Sequence, residues 1–235
     1  MERVISGVRV LSVAVWTGLC LLVALPVYWL TRRHSLPLAM ARHLWAPMTL
    51  KMIGAELQVE GVDTLDLSQS YLFVANHSSQ ADIPVVFAAL DTPLRFLAKE
   101  ELRRVPMVGT FISAMGMVFV DRSRSEAARQ SIEQLARSLE GGMSLMAFPE
   151  GTRSPDGSVQ PFKTGAFVAA IKAGVPVVPI LIQGAAEVLP ANSIIIRPGT
   201  IRVQVGSPLS SDSLEVADRR QFADRVRAEL LALVD

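Results

Sequence analysis

A histidine and an aspartate stand close together in the stretch Asn76-His77-Ser78-Ser79-Gln80-Ala81-Asp82-Ile83-Pro84. On a helix, His77 and Asp82 would point about 140° apart, and on a strand they would face opposite sides. A turn brings them together, and the polar residues after the histidine form turns readily. An imidazole held by a carboxylate takes a proton from an alcohol, because the carboxylate fixes the tautomer and stabilises the imidazolium. The pair predicts a general base; the alternative is a structural histidine beside a helix-capping aspartate.

The residues on either side of this pair predict the elements that position it. The run Tyr71–Ala75 is apolar without helical periodicity, which is typical of a buried strand. Asp82 is followed by Pro84, which favours an aspartate N-cap with a proline in the first helical turn. We therefore expect a strand, a turn that carries the histidine, and a helix that begins at the aspartate.

A second polar stretch, Phe148-Pro149-Glu150-Gly151-Thr152-Arg153-Ser154, follows another apolar run. Gly151 lets the backbone approach a ligand closely, and the Arg153 guanidinium suits bidentate binding of a phosphate. The alternative is an exposed turn in which Glu150 and Arg153 form a surface ion pair.

Further charged residues follow two other apolar runs. The run Gly116–Val120 leads into Asp121 and Arg122, which could equally pair with each other, and Lys99 ends the run from Phe96. Lys163 adds a cation later in the chain. Binding sites in parallel sheets lie outside the carboxyl ends of the strands, so we expect one pocket where these runs end.

Alternating strands and helices are predicted after Gly54. The strands are Leu57–Glu60, Tyr71–Ala75, Leu94–Ala98, Met117–Val120, Ser144–Phe148, Val177–Ile182 and Ile201–Val205, and the helices are Ile83–Leu90, Val108–Ala114, Ser125–Leu139, Gly165–Ala173 and Ala217–Leu233. Several strands are apolar throughout, as in parallel sheets that are buried on both faces. The fold class predicted is α/β, with a mixed, largely parallel sheet flanked by helices.

The N-terminal part of the chain has the pattern of a membrane anchor. Residues 10–31 carry no charged side chain and are numerous enough to cross about 30 Å of hydrocarbon. The segment Leu38–Ile53 is amphipathic, so a helical hairpin within one leaflet is the alternative to a full span. A slight excess of arginine after the apolar stretch favours a cytoplasmic C-terminal side. We therefore divide the chain into a membrane-anchoring segment, 1–53, and a catalytic domain, 54–235.

Composition limits the classes of function. Half of the residues are hydrophobic, 19% are charged and the mean hydropathy is +0.36, which favours membrane contact. The net charge of +1 does not suggest a nucleic-acid-binding protein. With Cys20 the single cysteine and only three histidines, we expect no disulfide and no metal site.

Four motifs in order resemble those of the glycerolipid acyltransferase family, whose type members are the 1-acylglycerol-3-phosphate O-acyltransferases. They are Asn76-His77 with Asp82, Gly116 to Arg122, Phe148 to Ser154, and Val175-Pro176-Val177-Val178-Pro179. The resemblance covers about residues 70 to 210 and is far more specific jointly than any single motif.

The resemblance implies a reaction and a set of roles. A fatty acyl group moves from a thioester of coenzyme A or of acyl carrier protein to lysophosphatidic acid, giving phosphatidic acid without a metal or prosthetic group. It implies His77 as the base and Asp82 as the residue that orients it. Arg153 becomes the phosphate ligand, while the other implied site residues are Glu150, Gly151, Thr152, Arg122 and Lys99.

Three other functions remain as alternatives. The pair Gln80-Ala81 departs from the family's commoner residues at these positions, which leaves open another lysolipid acceptor, such as a lyso-ornithine lipid. A lipid hydrolase would normally need a nucleophilic serine, and the sequence has no G-x-S-x-G motif. A membrane-anchored lipid-binding protein would leave His77 with a structural role only.

Overall fold

The computed structural model describes residues 2–105, 107–121 and 125–234. Within these residues a seven-stranded sheet has the order β1-β7-β6-β2-β5-β3-β4. The strands are β1 (Ala55–Glu60), β2 (Leu72–Ala75), β3 (Leu94–Lys99), β4 (Val118–Val120), β5 (Ser144–Ala147), β6 (Val177–Gln183) and β7 (Gly199–Val205). Only the β6–β7 pair is antiparallel among the described strands. The predicted α/β class with a mixed, largely parallel sheet is confirmed.

The helices surround this sheet and precede it in the chain. They are α1 (Glu2–Thr31), α2 (Ser35–Met40), α3 (Ala46–Ile53), α4 (Asp82–Ala89), α5 (Val108–Ala114), α6 (Ser125–Glu140), α7 (Gly165–Ala173), α8 (Ala185–Val188) and α9 (Arg219–Leu231). A π-helical turn, Ala41–Trp45, joins α2 to α3, and 3₁₀ turns cover Val62–Thr64, Glu100–Arg104 and Val216–Asp218. The short α8 and the charged turn at 100–104 were not predicted, because neither has a helical apolar pattern.

The central strands are apolar because both of their faces are covered. Every residue of β2 and β5 is buried. On one face the core includes Leu50 of α3 and Val85 of α4, and on the other it includes Phe167 of α7 and Val226 of α9. The two layers hold β2 and β5 rigidly, and these strands lead into the polar stretches at His77 and Glu150.

The N-terminal helices differ in how much of their surface is buried. α1 is long and apolar enough to cross a membrane, and few of its residues are buried. The segment Leu38–Ile53, predicted to be amphipathic, is helical from α2 through the π-helical turn to α3. Leu38, Leu50 and Ile53 are buried in the core, whereas Leu44 and Met48 are 45% and 36% exposed. The face of the sheet beside α4 needs an apolar cover, and the buried side chains of α2 and α3 supply part of it.

Candidate active site

The histidine and the aspartate meet in the turn between β2 and α4. Nδ1 of His77 lies 2.7 Å from Oδ2 of Asp82, whose side chain is fully buried. The same Oδ2 accepts the backbone N–H groups of Ser78 at 2.8 Å and Ser79 at 2.9 Å. Because this oxygen also accepts two backbone N–H groups, Nδ1 is assigned as the donor, and in a neutral imidazole Nε2 then carries the lone pair. This is the tautomer that a general base requires.

The aspartate does not cap the helix as predicted. Asp82 is the first residue of α4, Ala81 precedes the helix, and no side chain caps this end. The carboxylate instead points back into the turn, where His77 and two N–H groups offer it three donors. Pro84 lies in the first helical turn as expected, where its missing N–H costs nothing.

The peptide of His77 is held by the loop that follows β5. Its N–H donates to Oε1 of Glu150 at 3.0 Å, and its C=O accepts the N–H of Ser154 at 2.7 Å. The imidazole stacks on Phe148, with ring centroids 4.2 Å apart and planes inclined by 17°. Backbone and ring are thus fixed together, and 18% of the side chain remains exposed.

Two polar residues that sequence reasoning gave no role hold the ends of this turn. Asn76 exchanges two hydrogen bonds of 2.8 Å with the backbone of Ile182 in β6. The Ser79 hydroxyl donates to the carbonyl of Leu189 at 2.6 Å. For Asn76, the position directly after an apolar strand is a sign of such a role, because a buried asparagine needs hydrogen-bond partners nearby.

Glu150 lies behind the histidine rather than on the pocket wall. Its residue is 4% exposed, and Oε2 has no hydrogen-bond partner in the described part of the chain. Burial raises the pKa of Glu150 to about 7, against the opposing effect of the N–H groups of His77 and Gln160. The nearby Asp82 carboxylate adds to the rise in this pKa. The geometry makes Glu150 a support for His77.

Arg153 projects from a tightly organised loop. Gly151 has φ 78°, a conformation that favours glycine, and its N–H donates to the carbonyl of Phe148 at 3.1 Å. Further along, the hydroxyls of Ser158 and Ser154 donate hydrogen bonds to Asp156 and lower its pKa to about 2.

Nη1 of Arg153 donates to the carbonyl of Ala191 at 2.7 Å. No ion pair joins Arg153 to Glu150 among the described residues.

The strand ends surround a pocket of about 490 Å³. Its polar lining includes His77, Thr152 and the cations Lys99, Arg153 and Lys163. Apolar side chains form most of the remaining wall, among them Phe96, Ile112, Met115, Met117, Ile132, Leu135 and Phe148. Because β2, β5, β3 and β4 are parallel neighbours, their carboxyl ends meet at one edge.

The remaining predicted residues divide between the pocket and its surroundings. Gly151 and Lys99 contribute to the wall, as does Val120 at the end of β4. The Asp121 N–H donates to the hydroxyl of Ser131 at 3.2 Å. Arg122 lies outside the described residues. The apolar part of the pocket was not predicted, because its residues come from elements far apart in the sequence.

Comparison with known proteins gives matches across the site. A sequence model of the Acyltransferase family matches residues 56–183. A chloroplastic 1-acyl-sn-glycerol-3-phosphate acyltransferase from Arabidopsis thaliana is 33% identical over 74% of this chain and 49% of its own. The human 1-acyl-sn-glycerol-3-phosphate acyltransferase alpha is 32% identical over 77% of this chain and 65% of its own. The chain spans about half the length of the first curated relatives that it matches.

A solved structure agrees over the whole fold. The 1-acyl-sn-glycerophosphate acyltransferase PlsC from Thermotoga maritima superposes with a TM-score of 0.82 at 25% sequence identity, covering 100% of this chain and 99% of that one. The family match includes both the His77 turn and the Arg153 loop. On the strength of this match, the chain belongs to the acyltransferase family.

Proposed function

We propose that the chain transfers a fatty acyl group from a thioester to the free sn-2 hydroxyl of 1-acyl-sn-glycerol 3-phosphate, giving phosphatidic acid. The observation that carries this proposal is the His77–Asp82 hydrogen bond of 2.7 Å at the wall of a largely apolar pocket with three cations. A base, a place for an acyl chain and a place for a phosphate are the parts that this reaction needs. The names of the similar proteins support the choice of acceptor.

The base acts through Nε2 of His77. This nitrogen takes the proton of the sn-2 hydroxyl as the oxygen attacks the thioester carbonyl, and the buried Asp82 carboxylate stabilises the imidazolium. The new C–O ester bond forms, the C–S bond breaks, and the leaving thiolate takes the proton from the imidazolium. The reaction uses no metal or prosthetic group, and either acyl coenzyme A or acyl carrier protein serves as co-substrate.

The cations of the pocket hold the acceptor. Arg153 keeps one guanidinium nitrogen on the Ala191 carbonyl, which aims the rest of its planar group into the pocket. Lys99 adds a flexible charge, while Gly151 and Thr152 shape the wall between Arg153 and the base. We assign Arg122 to the same phosphate on the family resemblance alone.

The lipid substrates reach this site from a membrane. α1 is apolar and largely exposed, which is the surface of a helix that lies in lipid. We place α1 in the bilayer and the domain of residues 54–235 on the cytoplasmic side, in keeping with the arginines that follow the apolar stretch.

A transfer assay on the purified full chain tests the proposal. Both thioester donors are combined separately with lysophosphatidic acid, a lyso-ornithine lipid and a zwitterionic lysophospholipid, and one reaction has no acceptor. We expect phosphatidic acid to form fastest. Faster acylation of another lysolipid would reassign the acceptor, and release of free fatty acid without an acceptor would favour a hydrolase.

A further inference from the structure

The segment between β3 and α5 exposes apolar side chains beside the pocket. Leu102, Val105, Met107 and Val108 are 37%, 42%, 51% and 41% exposed, and we call these four residues the apolar patch. Leu102 also lines the pocket. Contiguous apolar side chains at the surface of a protein usually mark a contact with a partner or a membrane.

The helix α5 connects the apolar patch to α1. α5, which begins at Val108, packs against α1. His34, in the turn after α1, has Nδ1 2.9 Å from the carbonyl oxygen of Ala114 at the end of α5. The apolar patch therefore lies at one end of a seven-residue helix that packs against α1 and whose other end contacts the turn after α1.

Cations accompany this surface. Arg32 and Arg33 are exposed in the turn after α1, and Arg104 is exposed within the patch segment. Glu100 is paired with Arg103 at 2.6 Å, which leaves Glu101 as the opposing charge beside Arg104. Arginines next to apolar side chains suit an anionic headgroup layer, where the charge meets phosphate and the apolar groups enter the acyl boundary.

Backbone strain also concentrates here. Among the described residues, Arg32 with φ 55° and Met107 with φ 62° are the only non-glycine residues with positive φ. Such conformations cost free energy and persist mainly where function or packing requires them. One lies in the turn after α1 and the other in the apolar patch, so both segments hold a backbone conformation that costs free energy.

We infer that the apolar patch is a second membrane contact, separate from α1, which seats the mouth of the pocket in the headgroup layer of an anionic bilayer. Acyl chains then pass from lipid into the pocket without crossing water. The inference rests on the proposed acyl transfer and on α1 as the first anchor.

Site-directed fluorescence on the full chain tests the contact. In a Cys20→Ser background, which removes the single cysteine, an environment-sensitive label is placed at Val105→Cys, at Val216→Cys or at Leu11→Cys. Val105 and Val216 are matched valines, 42% and 39% exposed; Val216 lies in the 3₁₀ turn before α9, and Leu11 is an exposed residue of α1. Vesicles of phosphatidylcholine and phosphatidylglycerol carry spin-labelled lipid as quencher, and iodide is the quencher in water.

We expect lipid to quench the labels at 105 and 11, and iodide to quench the label at 216. If the label at 105 behaves like that at 216 while the one at 11 is quenched by lipid, the patch inference fails and the α1 anchor stands. Lipid quenching at none of the three sites would overturn both membrane contacts. If the fluorescence of the label at 105 changes without vesicles and the change grows with protein concentration, the patch binds a second copy of this chain instead, which would overturn the inference.

Turnover gives a second readout. Val105→Glu should slow acylation of lysophosphatidic acid in vesicles by about tenfold, since one buried valine changes a partition equilibrium by about that factor. Activity on a short-chain soluble acceptor should be unchanged, and Val216→Glu should alter neither. Equal loss on both acceptors would overturn the membrane role, whereas absence of transfer by the parent chain would instead refute the proposed function.

Discussion

The two polar sides of the pocket are built in different ways. On the base side, His77 is held at its ring, its N–H and its C=O by Asp82, Glu150 and the Ser154 N–H. On the cation side, Lys99 and Lys163 are exposed, and neither ammonium group has a hydrogen bond or ion pair within the described part of the chain. In the proposed reaction a fixed geometry serves the chemical step, and the acceptor meets two exposed lysines beside Arg153, which the Ala191 carbonyl holds.

This difference has an energetic reason. Proton transfer needs the base within hydrogen-bond distance in one orientation, so its support is built into the fold and is present before substrate binds. Long cationic side chains lose rotamer entropy only when a phosphate arrives, and they accept some variation in its position. Substitutions on the base side should therefore lower kcat, and those on the cation side should raise the acceptor KM.

Removal of the base should have the largest effect. His77→Ala should lower kcat by about 10²–10⁴, the usual contribution of a positioned general base, with KM values little changed. The fold should survive, because His77 lies in a turn and contributes little core volume. His43→Ala is the control, since His43 is an exposed histidine on the turn Ala41–Trp45. A folded His77→Ala protein with parental kcat would show that the dyad is structural.

The parts of this site that the sequence predicted are local ones. His77 and Asp82 meet because the four residues between them form a turn, and the bounds predicted for Val108–Ala114 and Gly165–Ala173 match the structure. The seven predicted strands are all present, since apolar runs between polar stretches are read from neighbouring residues.

The parts that were not predicted depend on partners far away in the chain. Glu150 accepts the His77 N–H and Arg153 reaches Ala191, and both contacts require the strand order that places β5 and the loop after α8 beside β2. The capping role expected of Asp82 was wrong for a different, local reason, because His77, Ser78 and Ser79 in the turn before the helix compete for its carboxylate.

The guanidinium of Arg153 should come next in effect. Arg153→Lys keeps the charge but loses the planar fork, and Arg153→Ala loses both, so the acceptor KM should rise in that order. A charge-assisted hydrogen bond contributes about 1.5–3 kcal/mol, so alanine should lower kcat/KM for lysophosphatidic acid by about tenfold to a hundredfold.

The donor and an uncharged acceptor serve as controls for Arg153. The donor KM should barely change, and an acceptor without a phosphate monoester should be affected much less. If all acceptors weaken alike and the melting temperature falls, the bond to the Ala191 carbonyl is the main role of Arg153, and the phosphate is bound by Arg122, Lys99 or Lys163 instead.

The smallest predicted effect is the pH dependence of stability that results from the burial of Glu150 behind His77. Burial raises the pKa of Glu150 from 4.5 to about 7, so the folded chain binds more protons than the unfolded chain between these values. The free energy of unfolding should therefore fall as the pH rises from about 4.5 to about 7, by at most about 3 kcal/mol, and Glu150 should add no further dependence above that range.

Glu150→Gln cannot ionise and should lose this part of the pH dependence, which denaturation at pH values below and above the range measures. Its amide oxygen still accepts the His77 N–H, so kcat should stay within about tenfold of the parent, whereas Glu150→Ala removes the acceptor and should lower both kcat and stability. Parallel pH profiles for the parent and the glutamine variant would show that the Glu150 carboxyl has the same pKa in the folded and the unfolded chain, and that its burial behind His77 costs no stability near neutral pH.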